Sequence, residues 1–103
     1  MILEAAILNV IQGREAEFEH AFRQASPLIA SAAGYLGHSL DRGIENPSKY
    51  LLLVRWRALE DHVQGFRGSP QYQDWKRLLH HFDDPFPTVD HFRPAMVGPG
   101  AVE

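Results

Sequence analysis

The chain of 103 residues contains no cysteine. That excludes a disulfide framework, a thiolate metal site and a cysteine nucleophile. Positive charge is also scarce. Ten Lys and Arg stand against 13 Asp and Glu, a formal net charge of -3, so a nucleic-acid backbone is not expected as a partner. Apolar runs such as residues 51–54 are far too short for a bilayer, and no membrane association is expected. The start of the chain lacks the basic residues and apolar stretch of a secretory signal, which makes the cytoplasm the expected location. No glycine-rich loop precedes a helix, and Ser26, Ser31, Ser39, Ser48 and Ser69 lack a nucleophile-elbow setting. What remains is an ordinary globule, 45% hydrophobic and 22% charged. It is expected to form one domain over residues 1–95, with a flexible tail over 96–103.

Apolar periodicity divides the chain. Residues 2–11 are mostly apolar and β-branched, as in a strand buried on both faces. Over residues 14–33, Phe18, Phe22, Ala25, Ile29 and Ala32 recur at steps of four and three, marking one face of a helix. Pro27 should kink or break that helix, and Gly34 suits a left-handed stop after it. Residues 36–42 alternate, with Leu36, His38 and Leu40 on one face. A turn over 43–48 leads into the strongest strand, residues 50–57, so the second and third strands read as a hairpin. Leu59, His62, Val63 and Phe66 form a short helix ending near Gly68. Ser69-Pro70 reads as a cap and first turn, opening a second short helix to about residue 79. A loop over 80–87 and a last strand over 88–93 complete the chain.

The order β-α-β-β-α-β predicts an α+β, ferredoxin-like fold, with a four-stranded antiparallel sheet and helices on one face. The uncovered face would then carry an apolar patch of the kind monomers rarely tolerate. A homodimer with its sheets packed face to face resolves this. A few hundred Å² of apolar surface at about 25 cal/mol per Å² contributes several kcal/mol.

Gly34-Tyr35-Leu36-Gly37 before the second strand, Val54-Arg55-Trp56 closing the third, His62 and Phe66 on the next helix, and Ser69-Pro70-Gln71-Tyr72 together resemble the antibiotic biosynthesis monooxygenase (ABM) superfamily over residues 2–94. The resemblance implies a dimeric α+β barrel with a cavity between sheet and helices. It also implies a cofactor-independent monooxygenase that oxidises a small aromatic or quinol-like metabolite with O₂. The alternatives are a non-catalytic dimer that binds a small molecule or responds to stress, and a haem-degrading monooxygenase. Where the haem-degrading relatives have Asn, Trp and a ligating His, this chain has Ala6, Phe66 and Lys76. Asn9 lies near the first of those positions but on the opposite strand face.

Cofactor-free oxygenation needs a base beside a phenol or enol hydroxyl and an apolar cavity around the ring. His62 is the candidate for moving the proton, because imidazole titrates nearest neutrality, with Trp56 beside it as the second catalytic candidate. Phe18, Phe22, Tyr72 and Trp75 are candidates for holding the ring, and His38 and His91 for facing the same space. Arg55, with Arg93, is a candidate for steadying an anion. Each also suits a plain packing or surface role, and Arg55 could instead pair with Asp41 across the hairpin. His80-His81-Phe82-Asp83-Asp84 reads as a loop and not a metal site, since adjacent side chains diverge.

Overall fold

The computed structural model describes residues 1–100. Strand β1 (Ile2–Asn9) is followed by helix α1 (Glu15–Ala30) and strands β2 (Tyr35–Arg42) and β3 (Lys49–Trp56). A π-helical turn (Asp61–Phe66), helix α2 (Pro70–Leu79), a 3₁₀ turn (His80–Phe82) and strand β4 (Thr88–Phe92) complete the order. The strands form one antiparallel sheet, β2-β3-β1-β4, which is the expected ferredoxin-like α+β arrangement.

Strand parity sets the layers, because successive side chains point to opposite faces. On β1 and β3 the even residues face the helices: Glu4, Ala6 and Leu8, and Tyr50, Leu52, Val54 and Trp56 are all buried. They pack against Phe18, Phe22, Ala25 and Ile29 of α1 and Trp75 and Leu79 of α2. The odd residues Leu3, Ala5, Ile7, Leu51 and Leu53 lie on the other face, only partly shielded, beside the exposed Phe92.

Local chemistry departs from simple periodicity in four places. Helix α1 runs through Pro27 without a break and ends one turn later, with the Ser31 N–H donating to the Pro27 carbonyl at 3.1 Å. Strand β2 carries a bulge between Tyr35 and Gly37. The extra residue leaves Leu36 exposed, not facing inward with His38 and Leu40. The short helix before Gly68 is a single π-helical turn, which brings both His62 and Phe66 inward. The loop over 80–87 contains a 3₁₀ turn that buries Phe82. Helix α2 starts as its cap signal predicts: Ser69 Oγ accepts from the Tyr72 N–H at 3.3 Å, with Pro70 at the first helical position. Among the described residues no helix is long and apolar enough to cross a membrane. Residues 101–103 of the expected tail lie outside the described residues.

Candidate active site

A cavity of about 70 Å³ lies between the sheet and the helices. Its apolar wall includes Ala6, Leu8, Phe18, Leu52, Trp75 and Leu79. Its polar groups are Glu4, His62, Arg67, Tyr72, His80 and Asp83. Of the residues expected from sequence, His62, Phe18, Tyr72 and Trp75 therefore reach the cavity. Trp56, Phe22, His38 and His91 stand behind its walls.

Glu4 is the unexpected centre of this site. It is 5% exposed and the only buried acid of the described core. Even parity on β1 points it inward, one pleat from Ala6, and its register partner is Val54. Its Oε1 accepts from the Trp56 indole Nε1–H at 2.9 Å and lies 3.3 Å from His62 Nε2. Both contacts use one oxygen, and the residue lines the cavity. His62, 4% exposed, stacks on the Trp56 indole with ring centroids 5.3 Å apart. Its Nδ1 lies 2.8 Å from His91 Nε2.

Of the two contacts to Glu4, only that of Trp56 is a hydrogen bond. His62 Nε2 is a close polar neighbour of the same oxygen, and one proton is shared between His62 Nδ1 and His91 Nε2. Burial raises the Glu4 carboxyl above the usual range, opposed by the Trp56 hydrogen bond and the charge of Arg67. Burial also pushes His62 down to about 3, aided by the charges of Arg67 and His91. The nearby carboxylate would favour an imidazolium, yet desolvation opposes charge on both partners, so His62 is neutral at neutral pH. His91, held low mainly by burial, is half-buried and joins this chain to the surface.

His38 belongs to a separate network. Its Nδ1 accepts from the Tyr35 hydroxyl, and its Nε2 lies 3.3 Å from Ser26 Oγ. Ser26 Oγ itself donates to the Phe22 carbonyl at 3.0 Å, so it accepts from His38. This closed chain ties α1 to β2 and leaves His38 no atom for a ligand.

Arg55 does not reach the cavity. It is an odd residue of β3, one position from Trp56, and so lies on the opposite sheet face. Its register partner is Gly37, whereas Asp41 sits opposite Leu51. Arg93 is exposed beyond the end of β4. Arg67, by contrast, lines the cavity from its exposed rim. Among the described residues no group of three or more His, Asp or Glu is placed to hold a metal ion. Lys76, at the position of the haem-ligating His, lays its ammonium 5.4 Å from the Tyr72 ring centroid.

The turn that carries His62 is seated by Asp61. This carboxylate accepts from the Ala58 N–H at 3.0 Å and from Arg57 Nη2 at 2.9 Å. It also lies against Gly34, whose φ is +83° and where a Cβ would stand 2.2 Å from the Asp61 carboxyl. Only glycine suits both that conformation and that approach.

Residues 1–78 match the family model for antibiotic biosynthesis monooxygenase. The uncharacterized protein YczJ of Bacillus subtilis strain 168 is 58% identical over 93 residues, covering 90% of this chain and 98% of its own. A crystal structure from Bordetella bronchiseptica, assigned to the antibiotic biosynthesis monooxygenases, shares 38% identity at a TM-score of 0.88, covering 92% of this chain and 97% of the other. SnoaB, a cofactor-independent oxygenase from Streptomyces nogalater, superposes at 0.78 with 20% identity, covering 95% of this chain and 96% of its own. That last likeness concerns the fold alone.

Proposed function

The chain belongs to the antibiotic biosynthesis monooxygenase family, and from that premise we propose that it is a cofactor-independent oxygenase of a compact phenol, enol or quinol. The observation that carries this reading is the buried Glu4 carboxylate in the cavity lining, its Oε1 bonded to the Trp56 indole with His62 Nε2 3.3 Å away. Burial makes Glu4 a stronger base than a solvated carboxylate, the tuning that proton abstraction needs.

In the proposed reaction Glu4 takes the proton of the substrate hydroxyl. The resulting anion passes one electron to O₂, and the radical pair combines at an electron-rich ring carbon bearing hydrogen. The peroxide so formed takes up a proton and loses water, leaving a carbonyl at that carbon. A ring CH₂ tautomer and O₂ thus give a ring carbonyl and H₂O. His62 and His91 carry protons between Glu4 and the surface, and Arg67 steadies the anion at the rim.

The cavity is tight for this task. An apolar cavity that holds a benzene ring is on the order of 150 Å³, against about 70 Å³ here. Substrate entry therefore displaces part of the wall, which includes the half-buried Tyr72, His80 and Pro87. The same tightness favours, as second reading, a binding protein without turnover. An oxygen electrode decides between them with a panel of anthrones, naphthols and quinols. Enzyme-dependent oxygen uptake with carbonyl product is expected, and binding without uptake would favour the second reading.

We also propose a homodimer through the odd-numbered sheet face. Its supports are Leu3, Ile7, Leu51 and Leu53, apolar but only partly covered, and the exposed Phe92. Sedimentation equilibrium should give twice the chain mass, and Leu53→Glu should return the monomer mass.

A further inference from the structure

Asp83 is an acid without a counterion. It lines the cavity, and its Oδ1 is shielded from solvent with no hydrogen-bond partner among the described residues. A buried acceptor left unmade is costly, and a charged one more so than an amide. The backbone on both sides is tied to the end of β1, which holds the residue in the wall. Val10 and Asp83 form a β-bridge. The Ile11 N–H donates to the Phe82 carbonyl at 2.8 Å, and the Asp84 N–H to the Asn9 carbonyl at 2.8 Å.

The charged and titratable groups around the cavity do not supply what Asp83 lacks. Glu4 is a second acid, already bonded to the Trp56 indole. Burial lowers both His62 and His80, which disfavours an imidazolium at either place. The charge of Lys76 also reaches His80, but its ammonium lies over the Tyr72 ring. Arg67 stands at the exposed rim. Its charge lowers the Glu4 carboxyl and the His62 imidazole. Burial alone acts on Asp83 and lifts its carboxyl to about 7. The lining therefore holds two acids and, away from its rim, no cation. A hydroxyl or a water could satisfy the bare oxygen, but only a cation with N–H donors answers both the hydrogen bond and the charge.

We propose that the cavity binds a small protonated amine, whose ammonium donates to Asp83 Oδ1 while its carbon part lies against the apolar wall. The cavity is smaller than one that takes a benzene ring, which restricts that carbon part to a few atoms. This goes beyond the oxygenase reading and rests only on its premise that the cavity admits a ligand.

An NMR titration of the full chain, followed at the amides of residues 80–89, tests the proposal. At pH 8 an alkylamine is cationic, and about 0.5 M NaCl suppresses pairing with exposed acids. The probes are isobutylamine and isobutanol, which share a carbon skeleton and differ in charge. The amine should bind roughly tenfold more tightly, as a hydrogen bond between charged groups implies. In Asp83→Ala that ratio should fall to about one. The near-isosteric Asp83→Asn should show the same fall, and it decides the matter if the alanine protein does not fold. In Glu4→Gln the ratio should persist. Equal affinities in the unmodified protein, no saturable binding of the amine, a ratio that survives both Asp83 substitutions, or one lost in Glu4→Gln would each overturn the proposal. Amine binding without oxygen uptake on the phenol panel would overturn the oxygenase alone. Uptake with no amine preference would overturn the amine site alone.

Discussion

Two histidine networks lie on the covered face of the same sheet, and they differ in what ends them. His38 is bracketed by two hydroxyls, Tyr35 and Ser26, and the chain closes on the Phe22 carbonyl. Every polar atom on its path is used, so the network pins a helix to an edge strand and does nothing else. His62 is bracketed by a carboxylate and a second imidazole. One end of that chain opens to the cavity through Glu4, and the other reaches the surface through His91. An imidazole between a carboxylate and an exit can move a proton, whereas one between two hydroxyls mainly holds position.

The largest test of this contrast is Glu4→Gln. It keeps the shape and removes the base, so oxygen uptake should fall by about 10² to 10⁴. Tyr35→Phe, which cuts the other network, should leave uptake within a few-fold. Next in size is Trp56, which is fully buried. Trp56→Ala should destabilise the fold by about 3–5 kcal/mol in urea denaturation. Trp56→Phe should fold and lose only the indole donor, which favours the Glu4 carboxylate. The Glu4 carboxyl then rises further, and the acid limb of the pH–rate profile should move to higher pH.

A smaller effect concerns stability against pH. His62 is lowered to about 3 from 6.5; the stability it confers is complete above pH 6.5 and is lost as pH falls towards 3. Asp83 is raised from 3.8 to about 7; its contribution is complete below pH 3.8 and is lost as pH rises through 7. The two oppose each other between about pH 4 and 6.5. Asp83→Asn removes the acidic opponent, so its urea midpoint should climb more steeply with pH. It should exceed that of the unmodified protein at pH 8 and come close to it at pH 4. The smallest effect is the cost of Tyr35→Phe, about 1 kcal/mol in the same denaturation, because it deletes one partly buried hydrogen bond.

How much of this was legible in the sequence follows from what each residue depends on. Strand and helix order rest on local periodicity and caps, and Ser69-Pro70 placed α2 to the residue. His62 and Trp75 were readable as inward groups because their apolar neighbours share their face. Glu4 was hidden by its setting, since a run read as apolar on both faces leaves no reason to weigh one acid within it. Its even parity with Ala6 and Leu8 was the available signal. The same parity separates Arg55 from Trp56. The bulge that turns Leu36 outward, the π-helical form of the His62 turn and the unpartnered Asp83 oxygen arise from tertiary packing, and no spacing in the chain announces them.

Gly34 stands outside the cavity, yet its missing side chain is what lets Asp61 settle and the next residue, His62, meet Glu4. Any Cβ at that position would unseat the Asp61 carboxylate at the base of the turn. Random mutagenesis scored for lost turnover should therefore return replacements of this remote glycine beside replacements of Glu4, and the two classes should be told apart by whether a small acid added to the assay restores activity.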